Sequence, residues 1–266
     1  MIQKLVNLIV FVGIVQLSTY AQDDQDSDIK NFLIVANAPV SRQRDFDWNF
    51  IDVMRRTHKI VSLDGASNLF ARAGKKPDVI LGDFDSIEAP EIWGIQATFF
   101  TILDSSPSYL GKDGIVIVPA KDQDLTDLAK AIMYCDKMRA KSIYIVNAHG
   151  GRMDHELGNY SLLRQYYNKN RPILIRTISQ TLEFFKTDIP ATIKITGRRG
   201  DYCGIIGFPN GKIITMKGFM YNADNYPLEM LKGSTCNKIN GLEAEVTITG
   251  EVLIIHPNAG WIRSKL

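Results

Sequence analysis

Three cysteines in 266 residues, Cys135, Cys203 and Cys236, are too few and too far apart for a disulfide scaffold or a cysteine-based zinc site. Charge of one sign is missing too: 31 Lys and Arg stand against 29 Asp and Glu, a net charge of +2, and aromatics make up only 9%. That balance builds no basic surface, so a nucleic-acid partner is not expected. Long apolar runs are confined to residues 5–17, which are too short for a stable membrane span. Absent as well are the Walker loop G-x-x-x-x-G-K-[ST], the dinucleotide fingerprint G-x-G-x-x-G and the nucleophile elbow G-x-S-x-G. The commonest nucleotide, dinucleotide and serine-hydrolase readings go with them.

What is present is an ordinary globular composition, 45% hydrophobic and 23% charged, over a length that suits one or two domains at roughly 150 residues each. The N-terminus has the n-, h- and c-regions of a secretory signal: Lys4, the apolar run, then Ser18-Thr19-Tyr20-Ala21 before an acidic stretch, with cleavage expected after Ala21. Residues 1–28 therefore read as a signal-like segment and linker. From residue 31 to about 180, short β-branched runs (32–35, 60–63, 79–81, 115–118, 143–146 and 173–175) alternate with helical patterns at 48–58, 67–73, 126–139 and 156–168. Runs apolar on both faces suit a parallel sheet covered by helices on both sides. Beyond 180 the pattern becomes short strands at 191–196, 202–207, 212–216, 243–249 and 251–256, with Gly250 read as a tight hairpin between the last two. The expected fold is α/β plus all-β: a doubly wound, Rossmann-like domain over 29–175 and a β-sandwich over 176–266.

In a doubly wound sheet, ligands bind outside the carboxyl ends of the strands. Those ends are unusually polar here: Asn37 after the first strand, Asp64-Gly65-Ala66-Ser67-Asn68 after the second and Gly82-Asp83-Phe84-Asp85-Ser86 after the third. Asp122-Gln123-Asp124-Leu125-Thr126-Asp127 follows the fourth, and His149-Gly150-Gly151-Arg152-Met153-Asp154-His155 the fifth. Carboxylates crowded on one rim repel unless a cation neutralises them, and oxygen-only ligands suit Mg²⁺ together with substrate phosphates. Asp83 and Asp85, two residues apart, would point the same way on an extended backbone. Gly150-Gly151-Arg152 at a helix start suits a phosphate. Each element has an ordinary structural alternative: Asp127 as a helix-start acid, Asp124 or Asp154 as a cap, Tyr221 as a core aromatic. Taken together, the residues describe a magnesium-dependent phosphate site without a P-loop.

At these residues the chain resembles the thiamine pyrophosphokinase (thiamine diphosphokinase) family. D-G-x-x-N appears at Asp64–Asn68; G-D-F-D-S at 82–86, D-Q-D-x-T-D at 122–127 and G-G-R-x-D-H at 150–155 are complete. Gly218-Phe219-Met220-Tyr221-Asn222 resembles the family's G-L-x-W-N, and Ser234-Thr235-Cys236-Asn237 its S-T-S-N. Ala66, Tyr221 and Cys236 depart from the usual glycine, tryptophan and serine.

The resemblance implies that ATP and thiamine give thiamine diphosphate and AMP, with Mg²⁺ as cofactor, in a homodimer whose sites are shared between subunits. It implies Asp83, Asp85 and Asp127 as metal ligands, and Gln123, Arg152 and Asp154 as residues orienting the triphosphate and the attacking hydroxyl. Asn37, Asp64, Gly65, Asn68 and Thr126 would lie around the nucleotide, and Tyr221, Ser234 and Asn237 around thiamine. Either Asp154 or Asp127 would take the hydroxyl proton. A thiamine-binding protein without catalysis on the same scaffold is the competing expectation. ATP use implies the cytoplasm, whereas the signal-like start implies export.

Overall fold

The computed structural model describes residues 30–39, 46–95, 108–229, 234–258 and 263–264. The signal-like segment lies outside them. Among the described residues, no helix is long and apolar enough to cross a membrane. The chain forms two compact units, Met1–Asn37 with Trp48–Ala140, and Ala38–Asp47 with Lys141–Leu266.

In the first unit, β1 (Asn31–Val35) leads through α1 (Trp48–Met54) to β2 (Lys59–Leu63), and α2 (Ser67–Arg72) leads to β3 (Val79–Gly82). A short β4 (Tyr109–Leu110), β5 (Val116–Pro119) and α3 (Asp127–Lys137) complete it. Strands β1, β2, β3 and β5 pair in parallel, in register Leu33↔Ile60, Val61↔Val79 and Val79↔Val116. β4, which no sequence pattern announces, lies antiparallel on β5. Leu33, Ile34, Ile60, Ile80 and Ile117 are fully buried, as strands covered on both faces require. On α3, Leu128, Ala129, Ile132 and Cys135 form the buried stripe. Its cap is Thr126 rather than the expected Asp124: Thr126 Oγ1 accepts the Ala129 N–H at 3.3 Å. Asp124 instead donates its own N–H to Asp122 Oδ1 at 2.9 Å, closing a turn before the helix. Both side chains suit the role, and the turn selects between them.

The second unit opens with β6 (Ser142–Val146), α4 (Met153–Gln165) and β7 (Ile173–Arg176), with β6 and β7 parallel. There follow β8 (Gln180–Thr196), β9 (Tyr202–Gly207), β10 (Lys212–Lys217), β11 (Asp224–Pro227), β12 (Ser234–Lys238), β13 (Glu243–Pro257) and β14 (Arg263–Ser264). Every pairing from β7–β8 onward is antiparallel, which is the β-sandwich region expected from the sequence.

Gly250 is not a hairpin turn. β13 runs unbroken for 15 residues against the 17-residue β8, and its register shifts between Ile248 and Gly250. Gly250 has φ +76°, and a Cβ there would lie 1.9 Å from the Asn210 carbonyl oxygen. It is a bulge that only glycine can occupy. Before it β13 pairs with β10, and after it with β9, so one bent strand serves two partner sets around a core that includes Ile193, Ile205, Phe219 and Val246.

Candidate active site

The first unit gathers its acids at the carboxyl ends of β2, β3 and β5. Past β2 the chain tightens into a 3₁₀ turn, Asp64–Ala66, with Asp64 buried and at φ +37°. Two glycines make room for it. A Cβ on Gly82 would sit 2.9 Å from Asp64 Cβ, and one on Gly65 would sit 2.6 Å from Asn37 Nδ2. Past β3, Asp83 and Asp85 are brought together by a left-handed turn at Phe84 (φ +67°) rather than by the extended backbone the spacing suggested. An aromatic residue there costs roughly 1–3 kcal/mol, and strain of this kind clusters where a site imposes it. Phe84 itself is buried, which anchors the turn.

The result is a group of three carboxylates, Asp64, Asp83 and Asp85, with one oxygen of each lying within 4.8 Å of the others. Few groups offset their charge. Gln123 Nε2 donates to Asp83 Oδ2 at 3.1 Å, and Ser86 Oγ donates to Asp85 Oδ1 at 2.8 Å. Asp64 Oδ1 is buried and has no hydrogen-bond partner among the described residues. Burial, opposed by a hydrogen bond from Ser86 and reinforced by Asp127, Asp83 and Asp85, pushes the Asp64 carboxyl up to about 6. Oxygen-only donors, an orphaned buried oxygen and like-charge crowding fit a hard divalent cation such as Mg²⁺.

Asp127 stands beside this group without joining the tight three. Its Oδ1 accepts from Lys130 Nζ at 3.1 Å, and Lys130 also donates to the Ala120 carbonyl at 2.9 Å. Burial, partly offset by Lys130, raises the Asp127 carboxyl, and the charges of Asp83 and Asp85 raise it further. Thus Asp64, which the motif reading assigned to the nucleotide, belongs to one carboxylate group with Asp83 and Asp85. The signal for this was available in part: an acid directly after a buried strand. That Gly82 is what admits it is visible only in three dimensions. Asn68, expected near the nucleotide, has structural partners of its own. Its Nδ2 donates to the Ser86 carbonyl at 2.9 Å and its Oδ1 accepts the Glu88 N–H at 3.0 Å. Both ends of the amide hold the loop that carries the two aspartates. Thr126 is occupied as the α3 cap.

In the second unit, Gly150, Gly151 and Arg152 lead into α4. Arg152 makes a two-pronged pair with Asp154, Nε to Oδ1 at 3.1 Å and a terminal nitrogen to Oδ2 at 2.5 Å. Both side chains are well exposed, at 73% and 63%. The Arg152 guanidinium holds the Asp154 carboxyl below its usual range, and Asp154 holds Arg152 above its own. Asp154 lies inside the first turn of the helix and does not cap it; Arg152 occupies the cap position without a side-chain cap bond.

Tyr221 is 67% exposed, so it is not a core aromatic. Asn237 is buried beneath it: Oδ1 accepts the N–H groups of Tyr221 (3.2 Å) and Lys238 (2.9 Å), and Nδ2 donates to the Tyr221 carbonyl at 2.7 Å. Asn237 therefore holds the backbone that presents the Tyr221 ring. Cys236 is exposed at φ +63°. Ser234 begins β12, and its side chain lies outside the described residues.

Comparison with known proteins converges on one family. The model described as "Thiamin pyrophosphokinase, catalytic domain" matches residues 50–175, and that described as "Thiamin pyrophosphokinase, vitamin B1 binding domain" matches residues 191–254. Thiamine pyrophosphokinase 3 of Oryza sativa subsp. japonica is 34% identical over 209 residues, covering 71% of this chain and 70% of the relative. Among solved structures, yeast thiamin pyrophosphokinase superposes with a TM-score of 0.65 at 14% identity over 87% of each chain. Thiamine pyrophosphokinase from Bacillus subtilis superposes at 0.63 and 22% identity, over 85% of this chain and 98% of the other. The structural likenesses carry the fold, an α/β part followed by a β-rich one. With both family models in their expected order and a relative above 30% identity, the chain belongs to the thiamine pyrophosphokinase family of enzymes.

Proposed function

We propose that the chain transfers the pyrophosphoryl group of ATP, as a unit, to the hydroxyl of thiamine, giving thiamine diphosphate and AMP. The bond between the α,β-bridging oxygen and the β-phosphorus breaks, a bond from the thiamine oxygen to the β-phosphorus forms, and the hydroxyl proton leaves to a carboxylate, Asp127 or Asp154. The observation that carries this reading is the undercompensated group of Asp64, Asp83 and Asp85 at the carboxyl ends of parallel strands. Asp83 and Asp85, with Asp64 and Asp127 beside them, would hold Mg²⁺. When bound, that ion supplies positive charge where negative charge accumulates on the phosphates.

The chain's own residues do the rest. Gln123 holds Asp83 in orientation through its 3.1 Å bond. Arg152, exposed and ion-paired with exposed Asp154, can exchange that carboxylate for phosphate oxygens at little cost. Asn37, Gly65 and Thr126 shape the nucleotide side, with Asn37 packed on Gly65. Tyr221 offers an open aromatic face to a cationic thiazolium, worth about 0.5–2 kcal/mol. In this reading residues 29–175 carry ATP and Mg²⁺ and residues 176–266 carry thiamine. The molecule works as a homodimer with sites shared between subunits, in the cytoplasm, where its nucleotide is abundant. The positions of the catalytic and vitamin B1 binding family models support that division.

The test is a coupled assay for AMP with ATP and Mg²⁺, run with and without thiamine. Thiamine-dependent AMP is expected. ADP as the sole nucleotide product, or inorganic phosphate released without thiamine, contradicts the reading.

A further inference from the structure

The turn that carries Arg152 is fixed from inside α4 by a residue outside every motif described above. Gly150 sits at φ +86° with open space around it, so its backbone conformation, not crowding, favours glycine. Its N–H donates to Glu156 Oε2 at 3.0 Å. The other oxygen of the same carboxylate, Oε1, accepts the Tyr160 hydroxyl at 2.5 Å. One turn on, Asn159 Nδ2 donates to the Ala148 carbonyl at 3.0 Å. On the far side Asn147, at φ +56°, exchanges two bonds with Ala38, its carbonyl accepting the Ala38 N–H at 3.1 Å and its Nδ2 donating to the Ala38 carbonyl at 2.9 Å. Glu156 is thus the group that holds the amide immediately before Gly151 and Arg152, and Tyr160 fixes the carboxylate that does so. The hydrogen bonds from Tyr160 and from the Gly150 amide hold the Glu156 carboxyl below its usual range, so it is an anion near neutral pH.

We infer that Glu156, oriented by Tyr160, is a positioning residue: it sets the Gly150–Arg152 turn so that the Arg152 guanidinium meets the polyphosphate of the nucleotide. The inference rests on the phosphate-handling role of Arg152 proposed above. Asp154 acts on the guanidinium side chain, whereas Glu156 acts on the backbone that carries it. Glutamine at 156 retains an acceptor for the Gly150 N–H and a second polar atom for the Tyr160 hydroxyl; alanine retains neither.

The experiment compares the full chain with Glu156→Ala, Glu156→Gln and Tyr160→Phe, measuring KM for ATP and for thiamine, and amide hydrogen exchange over residues 148–152. Losing a charge-assisted hydrogen bond at this place should raise KM for ATP about tenfold in Glu156→Ala. KM for thiamine should stay within about twofold, and exchange should accelerate locally over 148–152. Glu156→Gln should restore both readouts most of the way, and Tyr160→Phe should give a smaller rise in both. An unchanged KM for ATP, an equal rise in both KM values, or no rescue by glutamine overturns the inference. Should Glu156→Ala fail to fold, Tyr160→Phe carries the same test, and unaltered exchange over 148–152 with an unaltered KM for ATP overturns it. The reaction reading fails separately, if the unsubstituted chain forms no thiamine-dependent AMP; the exchange measurement then still decides whether Glu156 sets the turn.

Discussion

Two acidic neighbourhoods of this molecule are built on opposite terms. At the ends of β2 and β3, Asp64, Asp83 and Asp85 crowd together with a buried oxygen that has no hydrogen-bond partner among the described residues, and burial, reinforced by neighbouring charge, pushes the Asp64 carboxyl up to about 6. Around the Gly150 turn, every named carboxylate has a partner. Asp154 faces Arg152, Glu156 holds Gly150 and Tyr160, and both carboxyls are held below their ordinary range. In the proposed reading the first arrangement takes up a cation, whereas the second, satisfied among its own side chains, opens to an anion. Glu183 adds a third case within β8, where burial alone pushes its carboxyl up to about 8. Burial raises both Asp64 and Glu183; what sets Asp64 apart is the added charge of Asp127, Asp83 and Asp85 around it.

The comparison breaks most visibly at the acids themselves. Asp83→Asn or Asp85→Asn should lower the rate of AMP formation on the order of 10²–10³, as removal of other preorganised charge stabilisers does. Near-normal turnover in both would show that the crowding serves no cation. Next in size is Glu183→Gln. The folded chain holds a proton on Glu183 that the unfolded chain has released, so its contribution is complete below the unfolded pKa near 4.5 and is lost as pH rises toward 8. Denaturant unfolding should therefore show stability falling by about 1.4 kcal/mol per pH unit within that window from this group. Glu183→Gln should remove that slope without reducing activity, and an unchanged slope would place the proton elsewhere. Smaller still is Asn68→Ala, which should lower the rate about fivefold to tenfold by releasing the loop of Asp83 and Asp85. Raising Mg²⁺ should recover part of that loss. A change confined to KM for ATP, insensitive to Mg²⁺, would return Asn68 to the nucleotide.

The six apolar runs of the α/β part were legible because strands buried on both faces cannot alternate, and each lies within a strand apart from the extra residue at 115. The β-rich region was legible in kind and not in connection. A glycine between two alternating runs has the same local appearance in a hairpin and in a bulge, and what separates them is Asn210, forty residues away, pressing on Gly250. The acids were legible from their positions after strands. Their grouping was not, because Asp64 reaches Asp83 and Asp85 through the space left by Gly82 and the left-handed turn at Phe84. The structural bonds of Asn68 and Asn237 were not legible, because an amide suits a ligand contact and a loop clamp equally. Their partners, Ser86 with Glu88 and the Tyr221 backbone, lie 16 to 20 residues away in sequence.

The central claim is that these carboxylates are a cation site for nucleotide phosphates. It is tested most directly by calorimetric titration with α,β-methylene-ATP, which cannot be cleaved at the reacting bond, at pH 8 with excess Mg²⁺ or with EDTA. Binding in the unsubstituted chain should require Mg²⁺, and that requirement should vanish in Asp83→Asn. Equal affinity with and without Mg²⁺, or an undiminished Mg²⁺ requirement in Asp83→Asn, would contradict it.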